Sequence, residues 1–154
     1  MKEITTLNQS MKALYDADFY AWTQEQAKLL RAQQWNLVDV ANLIEEIESL
    51  GRQERRELVN RLAVLLGHLL KWQYQPELQG SSWQATIREQ RRKIKRLIEQ
   101  NPSLSSYLEE ALQEGFEDGL DLAVRETNLP YETFPEDCPY PLEQALNDKF
   151  LPNE

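Results

Sequence analysis

One stretch, Glu54 to Gln75 (ERRELVNRLAVLLGHLLKWQYQ), restricts the fold more than any other. Stepping about 100° per residue, Leu58, Leu62, Leu65, Leu69 and Trp72 form one stripe, and Val59, Ala63, Leu66 and Leu70 the stripe beside it. Together they cover close to half a helical cylinder, wider than a surface helix needs. A helix with so broad an apolar face is touched by several neighbours, so the stretch reads as the central helix of an all-helical domain. Glu54, Glu57, Arg61, His68 and Gln75 fall on a narrow strip beside the core stripe.

The rest of the chain supplies partners for that helix. Asp16 or Asp18 can cap a first helix carrying Phe19, Trp22, Leu29 and Leu30, with Gln26 as the one polar interruption. Asn36 is a good cap for a second, running to about Leu50, whose Leu37, Val40, Leu43, Ile44, Ile47 and Leu50 share a core face. Gly51 is expected to bend or break the chain there, since glycine takes a left-handed C-terminal position without Cβ penalty. Pro76 ends the central helix. Ser81 with Gln84 matches a capping box and opens a helix to about Gln100. After Asn101-Pro102-Ser103 a further helix runs to about Thr127. On it Ala111, Gly115, Gly119 and Ala123 form a ridge of small side chains that lets a neighbouring backbone come close.

Residues 1–14 show little pattern and are expected to be a flexible N-terminus. Residues 128–154 carry Pro130, Pro135, Pro139, Pro141 and Pro152, so they cannot be continuously helical. They read as an irregular strap with Phe134, Tyr140, Leu146 and Phe150 as anchors, and Leu142–Leu146 as one or two helical turns. The expected architecture is all-α: a single domain over 1–154, a helical bundle of four to five helices with a Pro-rich C-terminal strap. At 154 residues the chain is long enough to bury a core.

Charge narrows the choice of partners. The chain carries 17 Lys and Arg against 26 Asp and Glu, net −9, which suits a phosphate backbone poorly. Yet residues 81–100 hold six cations and two anions, while residues 101–154 hold thirteen anions and two cations. Such neighbours are expected to screen each other, with Glu110, Glu114, Glu117 and Asp121 paired to the basic helix. No run approaches the roughly 18 apolar residues of a membrane span. The start MKEITTLNQSMKAL lacks the apolar region of a signal peptide. With one cysteine, Cys138, the expectation is a cytoplasmic protein without internal disulfides.

The segments LYDADFYAW, NLIEEIESLGRQERREL, LLGHLLKWQYQP and SWQATIREQRR, in that order, with ETNLP and TFPEDCPY in the tail, carry a resemblance. Together they resemble a family of bacterial, chiefly cyanobacterial, helical proteins called domain of unknown function 29. The resemblance covers nearly the whole chain and implies an all-helical fold with no assigned activity. The family's motif residues match Glu45, Glu46, Glu48, Gly51, His68, Trp72, Trp83 and Arg91.

Candidate chemistry is sparse. His68, the only histidine, is either a general base partnered by Glu48 or Glu57, with Arg91 as the cation, or a buried ring bonded to a neighbouring helix. The carboxylates Glu45, Glu46 and Glu48 do not converge on a helix, and no HxxxH, ExxH or CxxC pair occurs, so no metal and no cofactor are expected. Cys138 lies beside Asp137, which disfavours a thiolate. Arg88, Arg91, Arg92 and Lys95 share one helical face and are the candidate interaction surface. Trp72 and Trp83 are candidates to wall a pocket beside His68 and Arg91. Three functions follow: an interaction or regulatory module binding another protein or a second copy; a small hydrolase or nuclease-like enzyme using His68; or nucleic-acid binding through residues 88–96. The last is disfavoured, because no aromatic is interleaved among the cations and the chain is acidic.

Overall fold

The computed structural model describes residues 2–153, with side chains from residue 9 onward. Met1 and Glu154, the ends of the segments read as N-terminus and strap, lie outside the described residues. The described chain is all-α: α1 (Lys2–Ala17), α2 (Phe19–Arg31), α3 (Val40–Tyr74), α4 (Ser81–Gln100), α5 (Leu108–Thr127) and α6 (Leu142–Leu146), with short 3-10 turns between them and no strand. Contacts group the chain into two compact units, Met1–Arg52 and Gln53–Glu154, and α3 continues through the boundary.

In the first unit a helix, α1, occupies a segment in which the sequence shows no pattern. Asp18 caps α2, its carboxylate accepting the Ala21 N–H at 3.0 Å. The rings of Tyr15, Phe19 and Trp22 pack at 4.9–5.8 Å. The interruption at Gln26 is itself structural. Buried Gln26 accepts the Asp39 N–H at 2.8 Å, and the Asp39 carboxylate accepts the Trp22 indole N–H at 3.0 Å. Asn42 donates to the same carboxylate at 2.8 Å, and Tyr15 donates to Glu46.

That polar network corrects the expectation for residues 36–50. Asn36 sits in a 3-10 turn, Trp35–Leu37, and α3 starts at Val40. The polar links to α1 and α2 come from Asp39, just before α3, which Asn42 braces, and from Glu46 on α3. Val40, Ile44, Ile47 and Leu50, read as a core face, are each half or more exposed, as is Trp35. Gly51 does not break the helix either. No glycine has positive φ, and interior glycine costs only about 1 kcal/mol. The left-handed stop comes at Asn128 (φ 59°), whose N–H reaches the Val124 carbonyl at the end of α5.

In the second unit α3 is the centre, as its apolar breadth requires. Leu58, Leu62, Leu65, Leu66, Leu69 and Leu70 are fully buried, with Ile87 and Ile94 of α4 and Leu112 and Phe116 of α5 around them. The small-residue ridge of α5 meets α3 directly. A Cβ on Gly119 would stand 2.7 Å from the Ala63 carbonyl oxygen, and one on Gly115 2.9 Å from the Leu62 Cβ. The strap docks through Phe134 and Tyr140, both buried, with Leu146 and Phe150 packed against the core. Tyr140 donates to the Gln73 side chain at 2.7 Å. The capping box at Ser81 is not formed. Gly80 occupies the cap in extended backbone, and Ser81 is the first helical residue.

Candidate functional site

The sequence candidates separate into two groups with different surroundings. His68 is 9% exposed, and its Nδ1 lies 2.8 Å from the Val64 carbonyl one turn back. A carbonyl only accepts, so in the neutral ring Nδ1 carries the proton and Nε2 is left as acceptor. Burial pushes the His68 pKa below the usual 6.5. The Val64 bond opposes this, nearby Lys71 lowers it further, and Glu126 raises it. Glu57 is about 16 Å away along α3 by helical rise and pairs with Arg61 at 2.5 Å. Glu48 belongs to the first unit, 3.9 Å from Arg52, which also bonds Glu45 at 2.8 Å. Within the second unit, His68, Glu57 and Arg91 thus each have their own set of partners.

The buried cation beside His68 is Lys71, which sequence reasoning missed. It is 5% exposed, with Nζ 3.7 Å from Glu126 and 4.5 Å above the Trp83 ring. Its one sequence signal is position: a lysine one turn after His68, next to Trp72, inside the most apolar window of the chain. Trp72 is buried. Its carbonyl accepts from Gln79 at 2.8 Å, and its indole N–H has no partner among the described residues. Trp83 packs on Lys71 and the core, and neither tryptophan lines the groove to which Arg91 belongs.

Arg91 is the anchor of a different site. It is 2% exposed, with Nε donating to the Ala145 carbonyl and Nη2 to the Phe150 carbonyl, each at 2.8 Å. Desolvation lowers its pKa, and Asp148 opposes that. Of the four residues read as one interaction face, Arg91 is thus the buried one. Arg91 clips the last turn of α6 and the chain just beyond it onto α4, because a planar guanidinium can aim two donors at two fixed carbonyls.

That clip builds one wall of a groove. Between α4 and the strap lies an open space of about 950 Å³, lined by Arg88, Arg91, Arg92, Lys95 and Arg96 from α4 and by Asp148, Lys149 and Leu151 from the strap. Lys95 pairs with Asp148 at 2.8 Å, which together with nearby Arg91 and Arg88 holds the Asp148 carboxyl below its ordinary range. Arg88, Arg92 and Arg96 are exposed and make no ion pair among the described residues. The expected pairing of this helix with acidic residues of α5 is not what the structure has. Glu114 accepts from Tyr107, and Asp121 from Tyr131. The basic groove thus keeps surplus positive charge on an acidic chain. Chemically it suits anions held by several cations at once.

Cys138 is half-buried, with Sγ 3.4 Å from the Tyr140 carbonyl. Its thiol pKa is raised chiefly by burial and secondarily by Glu109, whereas the sequence pointed to adjacent carboxylates. Among the described residues no three His, Cys, Asp or Glu side chains group as metal ligands. No helix among the described residues is long and apolar enough to cross a membrane.

The all-helical fold, the His68 strip on α3, and Arg91 and Trp83 on α4 lie together in the span that defines a protein family. Residues 14–151 match the family described as Domain of unknown function DUF29, and the chain belongs to it. No curated protein and no solved structure matches the chain.

Proposed function

We propose that the chain is a non-catalytic interaction module whose working surface is the basic groove between α4 and the strap, and that its partner is an acidic segment of another protein. One observation carries the reading: exposed, unpaired Arg88, Arg92 and Arg96 line a single open groove on a chain of net charge −9. Repulsion of acidic partners by the rest of the surface makes such a groove selective in position as well as in charge. The hydrolase alternative gains no support from His68, Glu48, Glu57 and Arg91, each held by its own partners. Nucleic acid is disfavoured because the groove lining contains no aromatic ring on which a base can stack.

The test is retention on immobilised polyglutamate. The wild-type chain binds at low salt and elutes as ionic strength rises toward physiological, where the Debye length is about 8 Å. A variant carrying Arg88→Ala, Arg92→Ala and Arg96→Ala, with an unchanged melting curve, flows through. Equal retention of the two proteins sinks the proposal.

A second reading, self-association, is favoured by the exposed Val40, Ile44, Ile47 and Leu50 on α3. Residues 40, 44 and 47 fall on one helical face, and apolar patches of this kind mark contact surfaces. Sedimentation velocity is then expected to show a concentration-dependent dimer that Ile44→Asp with Ile47→Asp dissociates. A monomer at every concentration removes this reading.

A further inference from the structure

On the reading that the chain self-associates through α3, we propose that two copies pair antiparallel about a two-fold axis, with the helices crossing between Ile47 and Gly51. Gly51 points to this. The helical glycines Gly67, Gly115 and Gly119 each have an atom of another residue 2.7–2.9 Å from where a Cβ would stand, whereas Gly51 has nothing within 4 Å. A glycine inside a helix costs about 1 kcal/mol against alanine, and at the first three positions close helix packing offsets that cost. Exposed Gly51 has no such contact among the described residues. At about 100° per residue, Val40, Ile44, Ile47 and Gly51 fall within about 60° of one another, so the bare backbone continues the exposed apolar line. Tyr15 of α1 bonds Glu46, well round the helix from that line. Branched side chains one turn before a bare backbone fit a helix carrying the same pattern. In the two-fold pair, Ile47 of each copy sits over Gly51 of the other.

The flanks of the line favour a second copy and set its direction. Glu45, Glu48 and Arg52 lie on one side of it, Leu43 and Leu50 on the other. A two-fold axis perpendicular to the helices brings like flanks together. One parallel to them presses the charged flank of one copy on the leucines of the other, where the carboxylates lose water without gaining a partner. In the antiparallel pair, Arg52 of one copy comes within about 3 Å, measured along the axis, of both Glu45 and Glu48 of the other. Within its own chain Arg52 bonds Glu45 at 2.8 Å and lies 3.9 Å from Glu48, and all three side chains are half or more exposed. Exposed pairs of this kind are weak, and a guanidinium has donors enough to reach a second chain's carboxylate. Each flank thus complements itself, which a second copy of the chain satisfies by symmetry.

The experiment reads dimerisation of the full chain by sedimentation equilibrium at low salt. Orientation is read from the distance between nitroxide labels on Val40→Cys in a Cys138→Ser background. Val40 is about nine residues from the crossing, so the two labels stand about 27 Å apart along the axis in the antiparallel pair. In a parallel pair they stand side by side on helices about 8–10 Å apart. Gly51→Gln puts a side chain where the backbones meet. It is expected to weaken the dimer at least about tenfold, while the dilute, monomeric chain melts no lower than wild type. Arg52→Glu is expected to weaken the dimer at least about fivefold, and adding Glu45→Arg with Glu48→Arg to restore it. A label separation below about 20 Å, or a dimer untouched by Gly51→Gln or by Arg52→Glu, overturns the antiparallel crossing and leaves self-association in place. A monomer at every concentration overturns both.

Discussion

Arg91 and His68 sit in the same apolar unit and have opposite kinds of surroundings. His68 is held neutral by burial, so the sign of its linkage to stability follows. Its folded-state pKa lies below the unfolded value near 6.5, and its contribution is full above that pH. As pH falls from about 6.5 through the folded value, the unfolded chain takes up the proton first and stability declines. NMR titration is expected to give a single imidazole midpoint below 6.5, and His68→Gln to flatten the stability profile in that window. A midpoint at or above 6.5 contradicts the buried, neutral ring. Arg91 is fully charged and bonded to two carbonyls. Arg91→Ala is expected to cost about 3 kcal/mol or more, since hydrogen bonds from a charged donor contribute roughly 1.5–3 kcal/mol each. Arg91→Lys should recover little of this, because an ammonium cannot reproduce the fork. Thermal melts of both variants check it, and a lysine variant as stable as wild type would refute the clip. Cys138, with its thiol pKa raised by burial, is expected to react slowly with thiol reagents at neutral pH.

At the scale of elements, two helix contacts decide the second unit. Gly119→Ala places a methyl group 2.7 Å from the Ala63 carbonyl oxygen and 3.1 Å from the Gly67 nitrogen, both backbone atoms that yield only if the helices part. The expected cost is about 1–3 kcal/mol, read from denaturant midpoints, while alanine at Gly51, with nothing within 4 Å, should be neutral or stabilising. Leu65→Ala, at a fully buried position, is expected to cost about 2–5 kcal/mol. These elements were legible from the sequence for a physical reason. A broad apolar stripe and a small-residue ridge both report burial, and burial is a local property of residue type. The capping box and the break at Gly51 were less legible, because a cap or a stop depends on a backbone dihedral that neighbouring helix formers can override. For residues 40–50 the apolar pattern was real but its partner was misassigned. The links to α1 and α2 are polar, made by Asp39, which Asn42 braces, and by Glu46, and no periodicity distinguishes a buried hydrogen-bonding face from a solvated one.

At the scale of the whole molecule, the charge asymmetry along the sequence survives folding. Residues 81–100 were read as screened by the acidic segment that follows, yet Lys95 with Asp148 is the one ion pair joining the two among the described residues. The candidate site was therefore only half legible. The basic residues of α4 could be named from composition. The wall opposite them is made by the strap, more than fifty residues further on, and is fixed by two carbonyls that carry no side-chain signal at all. Lys71 showed only its position in an apolar window, for a related reason: a lysine's burial depends on Glu126 and Trp83 arriving from other elements.

The most direct test of the groove as the working surface is amide chemical-shift mapping on addition of polyglutamate at low salt. The perturbed amides are expected to lie on α4 between Ser81 and Glu99 and on the strap near residues 148–151, and to return to their starting positions as salt is raised. Perturbations centred instead on the exposed Arg52, Arg55 and Arg56 of α3, or none anywhere, would contradict it.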